Sequence, residues 1–137
     1  MNEAGKRRIP DVAAEAEAVI QSLVYKDRWD HDHLDLKTSQ IRKFLAAVTS
    51  VTNQIEVWHM KHIDTDVLPD ELAAQVKYLK VKLAYQAGRV DSVKKFAKKA
   101  ELARRIDAIG CDRRKYQDFA HFVEALVAYH RFYEGQE

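Results

Sequence analysis

The sequence predicts an all-α protein, a compact bundle of about five helices. Three observations point there. Apolar residues recur at three- and four-residue spacing along most of the chain, the period of a helix face. Only two prolines and four glycines interrupt 137 residues, and most sit where such helices would begin or stop. No alternating run bounded by turn residues argues for a strand.

The elements follow in order. The first helix is expected over 10–26, with Pro10 in its opening turn, where the missing N–H is not needed. The segment DRWDHDHLDL (Asp27 to Leu36) breaks the period and reads as a connector. The second helix is expected over 38–63. Phe44, Ala47, Val48, Val51, Ile55 and Trp58 share one side there, with Ile41 and Leu45 at its edge, while Arg42, Thr49 and Asn53 project away. Pro69 opens a third helix over 69–87, and Asp70 and Glu71 suit its dipole. Leu72, Val76, Leu79, Leu83 and Ala87 form its apolar face, and Gly88 reads as its stop. The fourth is expected over 91–109, closed by Gly110. The fifth runs over 112–134, closed by Gly135, with Phe119, Phe122, Val123, Leu126, Tyr129 and Tyr133 as its stripe.

No internal repeat or long linker divides the chain, so one domain is expected over 1–137. An N-terminal helix and linker take 1–36, and a helical core takes 38–134. Phe132 lies off the stripe of the last helix, with Tyr129 and Tyr133 at its edge. Apolar surface left over in this way predicts self-association of several copies.

Composition narrows the class. Apolar residues are 47% and charged residues 32%, as in folded globular chains rather than disordered ones. No run of about eighteen apolar residues spans a membrane, and no apolar segment follows the basic residues of MNEAGKRRIPDV to make a secretory signal. Cys111 is the only cysteine and forms no internal disulfide; a cytoplasmic location is expected.

Net charge is only +2, but it is unevenly placed. Between Lys77 and Arg105 ten Lys or Arg residues face only Asp91 and Glu101, a local balance of +8. This asymmetry points toward an anionic partner. Within it, Tyr78, Lys82, Tyr85 and Arg89 fall four, three and four apart, forming one ridge opposite Leu79 and Leu83. Lys77 flanks the ridge, and Lys80 lies nearer the apolar edge, where it must snorkel. Lys94, Lys98 and Arg105 are expected along a second ridge, with Lys95 and Lys99 beside it. Cations interleaved with rings suit a flexible nucleic acid, the cations neutralising phosphates and the rings offering stacking faces. Under the alternative reading, the tyrosines anchor a neighbouring helix or a protein partner and the lysines keep the helix solvated.

Site chemistry offers less. His31, Asp32 and His33 are adjacent, but no second cluster with ligand spacing supports a metal. His59 and His62 share a helix face without an HExxH pattern, and His62 falls near the apolar stripe, which predicts a packed or hydrogen-bonded core histidine. A metal-dependent hydrolase built on His31, Asp32, His59 or His62 is the third reading. There is no phosphate loop, no GxSxG turn and no histidine paired with Cys111, so nothing proposes an enzyme. No metal or other cofactor is expected.

Three ordered stretches carry a resemblance. TSQIRKFL (Thr38 to Leu45), YLKVKLAYQAGR (Tyr78 to Arg89) and FVEALVAYHRFYEG (Phe122 to Gly135) together resemble the small subunit of the Csm complex, the type III-A CRISPR–Cas effector. The resemblance extends from about Thr38 onward and leaves WDHDHLDL unmatched. It implies a five-helix, non-catalytic subunit that stacks in several copies beside the crRNA–target RNA duplex. Neighbouring backbone and large subunits carry the catalytic activities. It also implies RNA contacts at Arg42 and Lys43 in the first motif and at Lys80, Lys82 and Arg89 in the second. With the ridge residues Lys77, Tyr78, Tyr85, Lys94 and Lys98, these make the expected RNA-binding set.

Overall fold

The computed structural model describes residues 11–134; Pro10 and Gly135 lie outside them. Among the described residues six helices follow one another: α1 (Val12–Leu23), α2 (Thr38–Met60), α3 (Asp70–Arg89), α4 (Asp91–Ala100), α5 (Leu102–Ile109) and α6 (Arg113–Glu134). A short hairpin, β1 (Tyr25–Lys26) with β2 (Asp32–His33), stands between α1 and α2. The architecture is the all-α bundle that periodicity predicts. α1 packs on α6, α2 lies against α6 and α3, and α3 meets α4 and α5.

Local chemistry sets the helix ends. Asp11 Oδ1 accepts the Ala14 N–H at 3.0 Å to cap α1, and Asp112 Oδ1 accepts those of Arg114 and Lys115 at 2.9 and 3.2 Å to cap α6. Gln40 reaches back to the Lys37 N–H at 3.1 Å, the return half of a capping box. Pro69 precedes the first turn of α3, where Asp70 and Glu71 sit as expected. Gly110, at φ 57°, turns the chain after α5 in a conformation most other residues avoid.

The stripes pack as read. Ile41, Phe44, Val48, Val51 and Ile55 of α2, Val76, Leu79 and Leu83 of α3, and Phe119, Phe122, Val123 and Leu126 of α6 join one buried cluster. Burying a side chain of this size contributes about 1.5–3 kcal/mol. Two polar residues of α6 join them. Tyr116 is buried, with its hydroxyl donating to the Val48 carbonyl at 2.8 Å and lying 2.9 Å from Thr52 Oγ1; burial pushes that hydroxyl up to about 12. His130 is fully buried, its Nε2 2.6 Å from the Leu36 carbonyl. A carbonyl only accepts, so Nε2 carries the proton.

Several boundaries differ from expectation. The helix predicted over 91–109 is divided at Glu101, which adopts a left-handed conformation (φ 54°, ψ 42°). In one continuous helix, residues 100 and 102 point to nearly opposite sides. The break lets both Ala100 and Leu102 enter the core at 0% exposure. α3 runs through Gly88 and stops at the extended Val90, so this glycine is helical rather than terminal. α2 stops at Met60, short of the expected 63, and the chain beyond it docks on the start of α6 through Leu68 N–H to the Cys111 carbonyl at 2.7 Å. The hairpin replaces the connector because Asp27 organises it: Oδ1 accepts the N–H groups of Trp29 (2.7 Å) and His31 (2.9 Å), and Oδ2 lies 2.6 Å from His33 Nε2.

Candidate nucleic-acid interface

α2 and α3 run antiparallel, pinned near one end where Gln86 Nε2 donates to the Gln40 carbonyl at 2.8 Å. Their packing leaves an open groove of about 710 Å³ along the outer face. From α2 it is lined by Ser39, Gln40, Lys43, Phe44 and Ala47; from α3 by Tyr78, Val81, Lys82, Tyr85, Gln86 and Arg89. The ridge inferred from spacing is therefore one wall of a concave surface, with Lys43 of the first motif on the facing wall. Tyr78 is 53% and Tyr85 67% exposed, so neither is a core residue. Lys82 Nζ stands 6.0 Å from the centre of the Tyr78 ring, and the Arg89 guanidinium 5.6 Å from that of Tyr85. At these separations the exposed pairs hold the ring–cation pattern in place at about 0.5 kcal/mol each, the low end for such contacts.

Charge in the groove is one-sided. Among the described residues no Asp or Glu lines it, and Lys43, Lys82 and Arg89 have no carboxylate partner. Unpaired cations around a concave surface focus a positive potential there.

The remaining expected residues scatter. Arg42 is exposed on α2, turned away from the groove by one helical step, and Lys77 is exposed beside Tyr78 without lining it. Lys80 snorkels across to α5, where its Nζ lies 2.8 and 3.0 Å from the two oxygens of Asp107. Lys94 and Lys98 border a separate, shallower cleft over α3, α4 and α5 together with Lys80 and Arg104. Arg105, expected beside them, is turned away by the break at Glu101. It lies 3.8 Å above the Phe122 ring, donates Nε to the Ala100 carbonyl at 2.8 Å and pairs with Glu15 at 3.0 Å.

The histidines hold local structure. His62 is exposed, stacked on Trp58 at 4.9 Å with Nδ1 2.9 Å from the Trp58 carbonyl, so the expectation of a core histidine fails. The core histidine is His130. His31 and His33 flank Asp27 in the hairpin, and His59 faces Asp66 at 3.9 Å. Among the described residues, no group of three or more His, Cys, Asp or Glu is arranged to hold a metal ion. No helix among them is long and apolar enough to cross a membrane.

At the end of α6, Phe132 is 65% exposed. Tyr133 is not left over: its hydroxyl donates to Glu17 at 2.8 Å and accepts from Gln21 Nε2 at 2.7 Å, tying α6 to α1.

Comparison with known proteins identifies the family. A family model described as Csm2 Type III-A matches residues 17–136. The protein named CRISPR system Cms protein Csm2 from Streptococcus thermophilus is 38% identical over 102 residues, 74% of this chain and 76% of that protein. Its namesake from Mycobacterium tuberculosis (strain H37Rv) is 30% identical over 75% of this chain and 79% of its own length. The one from Enterococcus italicus is 31% identical over 72% and 68%. The match includes all three motifs and nearly the whole described bundle. The chain belongs to the Csm2 family, the small subunit of type III-A CRISPR Csm complexes.

Proposed function

We propose that this small subunit grips crRNA and target RNA through their phosphate–sugar backbone, independent of sequence, with the α2/α3 groove as its principal contact. The observation that carries the reading is the set of three cations, Lys43, Lys82 and Arg89, around a groove free of carboxylates among the described residues. In a guide-based effector, base pairing supplies sequence identity, so a protein that holds only the backbone suffices. One copy offers a modest grip, and a row of copies multiplies it. Arg42 and Lys77 beside the groove and Lys94 and Lys98 on the second cleft extend the basic surface. Lys80, already paired with Asp107, contributes least.

The subunit acts without catalysis of its own, in the cytoplasm, beside the backbone and large subunits of the complex and further copies of itself. Exposed Phe132, together with Val57, Met60 and Ile63 at the far end of α2, offers apolar surface for those protein contacts. Sedimentation over a concentration series checks self-association; a strict monomer throughout would remove that part of the reading.

The grip is tested by salt titration of binding to a mixed-sequence single-stranded oligoribonucleotide. Log affinity is expected to fall with log salt by roughly 0.7 per phosphate contact. Lys82→Ala/Arg89→Ala should weaken binding and flatten that slope, while Lys61→Ala/Lys115→Ala, exposed and outside the groove, should change little. Unchanged RNA affinity in the first variant would remove the groove from the assignment.

A further inference from the structure

A backbone grip alone does not account for the lining of the groove. Phosphates need cations and the positive potential that a concavity focuses, and neither requires apolar side chains. Here the cations rim a concavity whose floor is apolar, made by the buried Phe44 and the half-buried Ala47, with the exposed Val81 on the α3 wall. Val81 is 52% exposed at a position where a polar residue would serve a purely ionic surface better. Tyr78 and Tyr85, two turns apart, lie on one wall about 10.5 Å from each other along the axis. Both residues are more than half exposed, and each ring already meets a cation.

We propose that the groove receives unstacked nucleobases of the bound RNA, laid against Tyr78 and Tyr85 and over the apolar floor. The proposal deepens the backbone-grip reading and rests on it. A flat heteroaromatic ring buries the floor and stacks on tyrosine or on the Arg89 guanidinium plane, whereas a phosphate gains nothing from Val81 or Ala47. Polar groups suited to a base edge stand at the rim. Gln86 turns its amide nitrogen to the Gln40 carbonyl, leaving its oxygen as an acceptor, and Ser39 also lines the groove. Stacking tolerates every base because each has a π-face, so the pocket preserves sequence independence. It does distinguish RNA with splayed bases from a bare charged backbone.

The test compares oligouridylate with an abasic ribose-phosphate strand of the same length and charge, bound to the full chain at one salt concentration. The parent should bind oligouridylate more tightly. Tyr78→Ala/Tyr85→Ala should lose about tenfold per ring for oligouridylate, the order expected for one base–ring stack. It should leave abasic binding and the salt slope unchanged, and the Tyr→Phe pair should behave as the parent. Thermal unfolding checks that each variant folds. Should the alanine pair not fold, Ala47→Leu, which raises the floor without changing charge, should produce the same selective loss. Equal parent affinity for the two strands, or equal weakening of both by the alanine pair, overturns the base pocket and leaves the backbone grip standing. Failure of the parent to bind either strand overturns the grip itself and the pocket with it.

Discussion

Arg89 and Arg105 are both arginines laid against an aromatic ring, and they serve opposite ends. Around Arg105 the ring is the fully buried Phe122, only 3.8 Å away, and its guanidinium is also held by Glu15 and the Ala100 carbonyl. Around Arg89 the ring is the exposed Tyr85 at 5.6 Å, and among the described residues no carboxylate pairs with it. The first arginine joins its own helix, α5, to three others; the second is left available to an anion from outside. Residue type does not decide between these outcomes. What decides is whether the fold brings a carboxylate within reach, and among the described residues the groove between α2 and α3 supplies none.

The sharpest way to break this contrast is through the core beneath the groove. Leu83 is buried under the ridge, and Leu83→Ala should cost on the order of 2–5 kcal/mol, read as a lowered denaturant midpoint. Next comes the joint. Arg105→Ala removes the ring contact, the bond to Ala100 and the Glu15 pair together, and should cost about 1–3 kcal/mol. Lys82→Ala/Arg89→Ala, with the same chemistry removed from the groove, should shift stability by no more than about 0.5 kcal/mol per site while lowering RNA affinity. A double variant that destabilises as much as Arg105→Ala would show that the groove cations are structural too.

Much of the bundle was legible in the sequence because α2, α3 and α6 hold a strict helical period. Tyr116 and His130 were missed although they continue the spacing of Phe119, Val123 and Leu126; their polar atoms disguised a core position that Val48 and Leu36 satisfy. The break at Glu101 answers a demand set by tertiary packing, since both Ala100 and Leu102 reach the core. It also misplaced Arg105 in the sequence reading. The ridge was legible because it lies on one helix. Its pairing with Lys43 was not, since two helices meet there through contacts no local spacing encodes. The hairpin depends on three hydrogen bonds to one aspartate, below the length at which strand patterning shows.

Smaller effects sharpen the comparison further. Gly88 sits inside α3 with open space where a Cβ would stand. Gly88→Ala should stabilise by about 0.5–1 kcal/mol, raising the thermal midpoint without altering RNA binding, since Gly88 does not line the groove. In the hairpin, the His31 amide and then the His33 ring hold the Asp27 carboxyl at about 2, below its ordinary 3.8. A depressed folded-state value means the carboxylate stabilises the hairpin above about pH 4, and that contribution is lost as pH falls toward 2. The Trp29 and His31 amide resonances should therefore titrate with a midpoint near 2, and a midpoint near 3.8 would show that the turn does not hold the charge.

The extensive seam between α1 and α6 has a consequence for how the molecule is made. α1 is made before every helix it packs on, and most of its docking surface, including the Tyr133 that bonds Glu17 and Gln21, belongs to α6. A short helix without its tertiary partner is marginal in water, so α1 waits until α6 has been made before it gains its main support. Contacts this distant in sequence slow the closing step of folding. Pulse-labelled hydrogen exchange should find the amides of α1 protected after those of α2 and α3, and protection of all three together would show that the seam closes with the core.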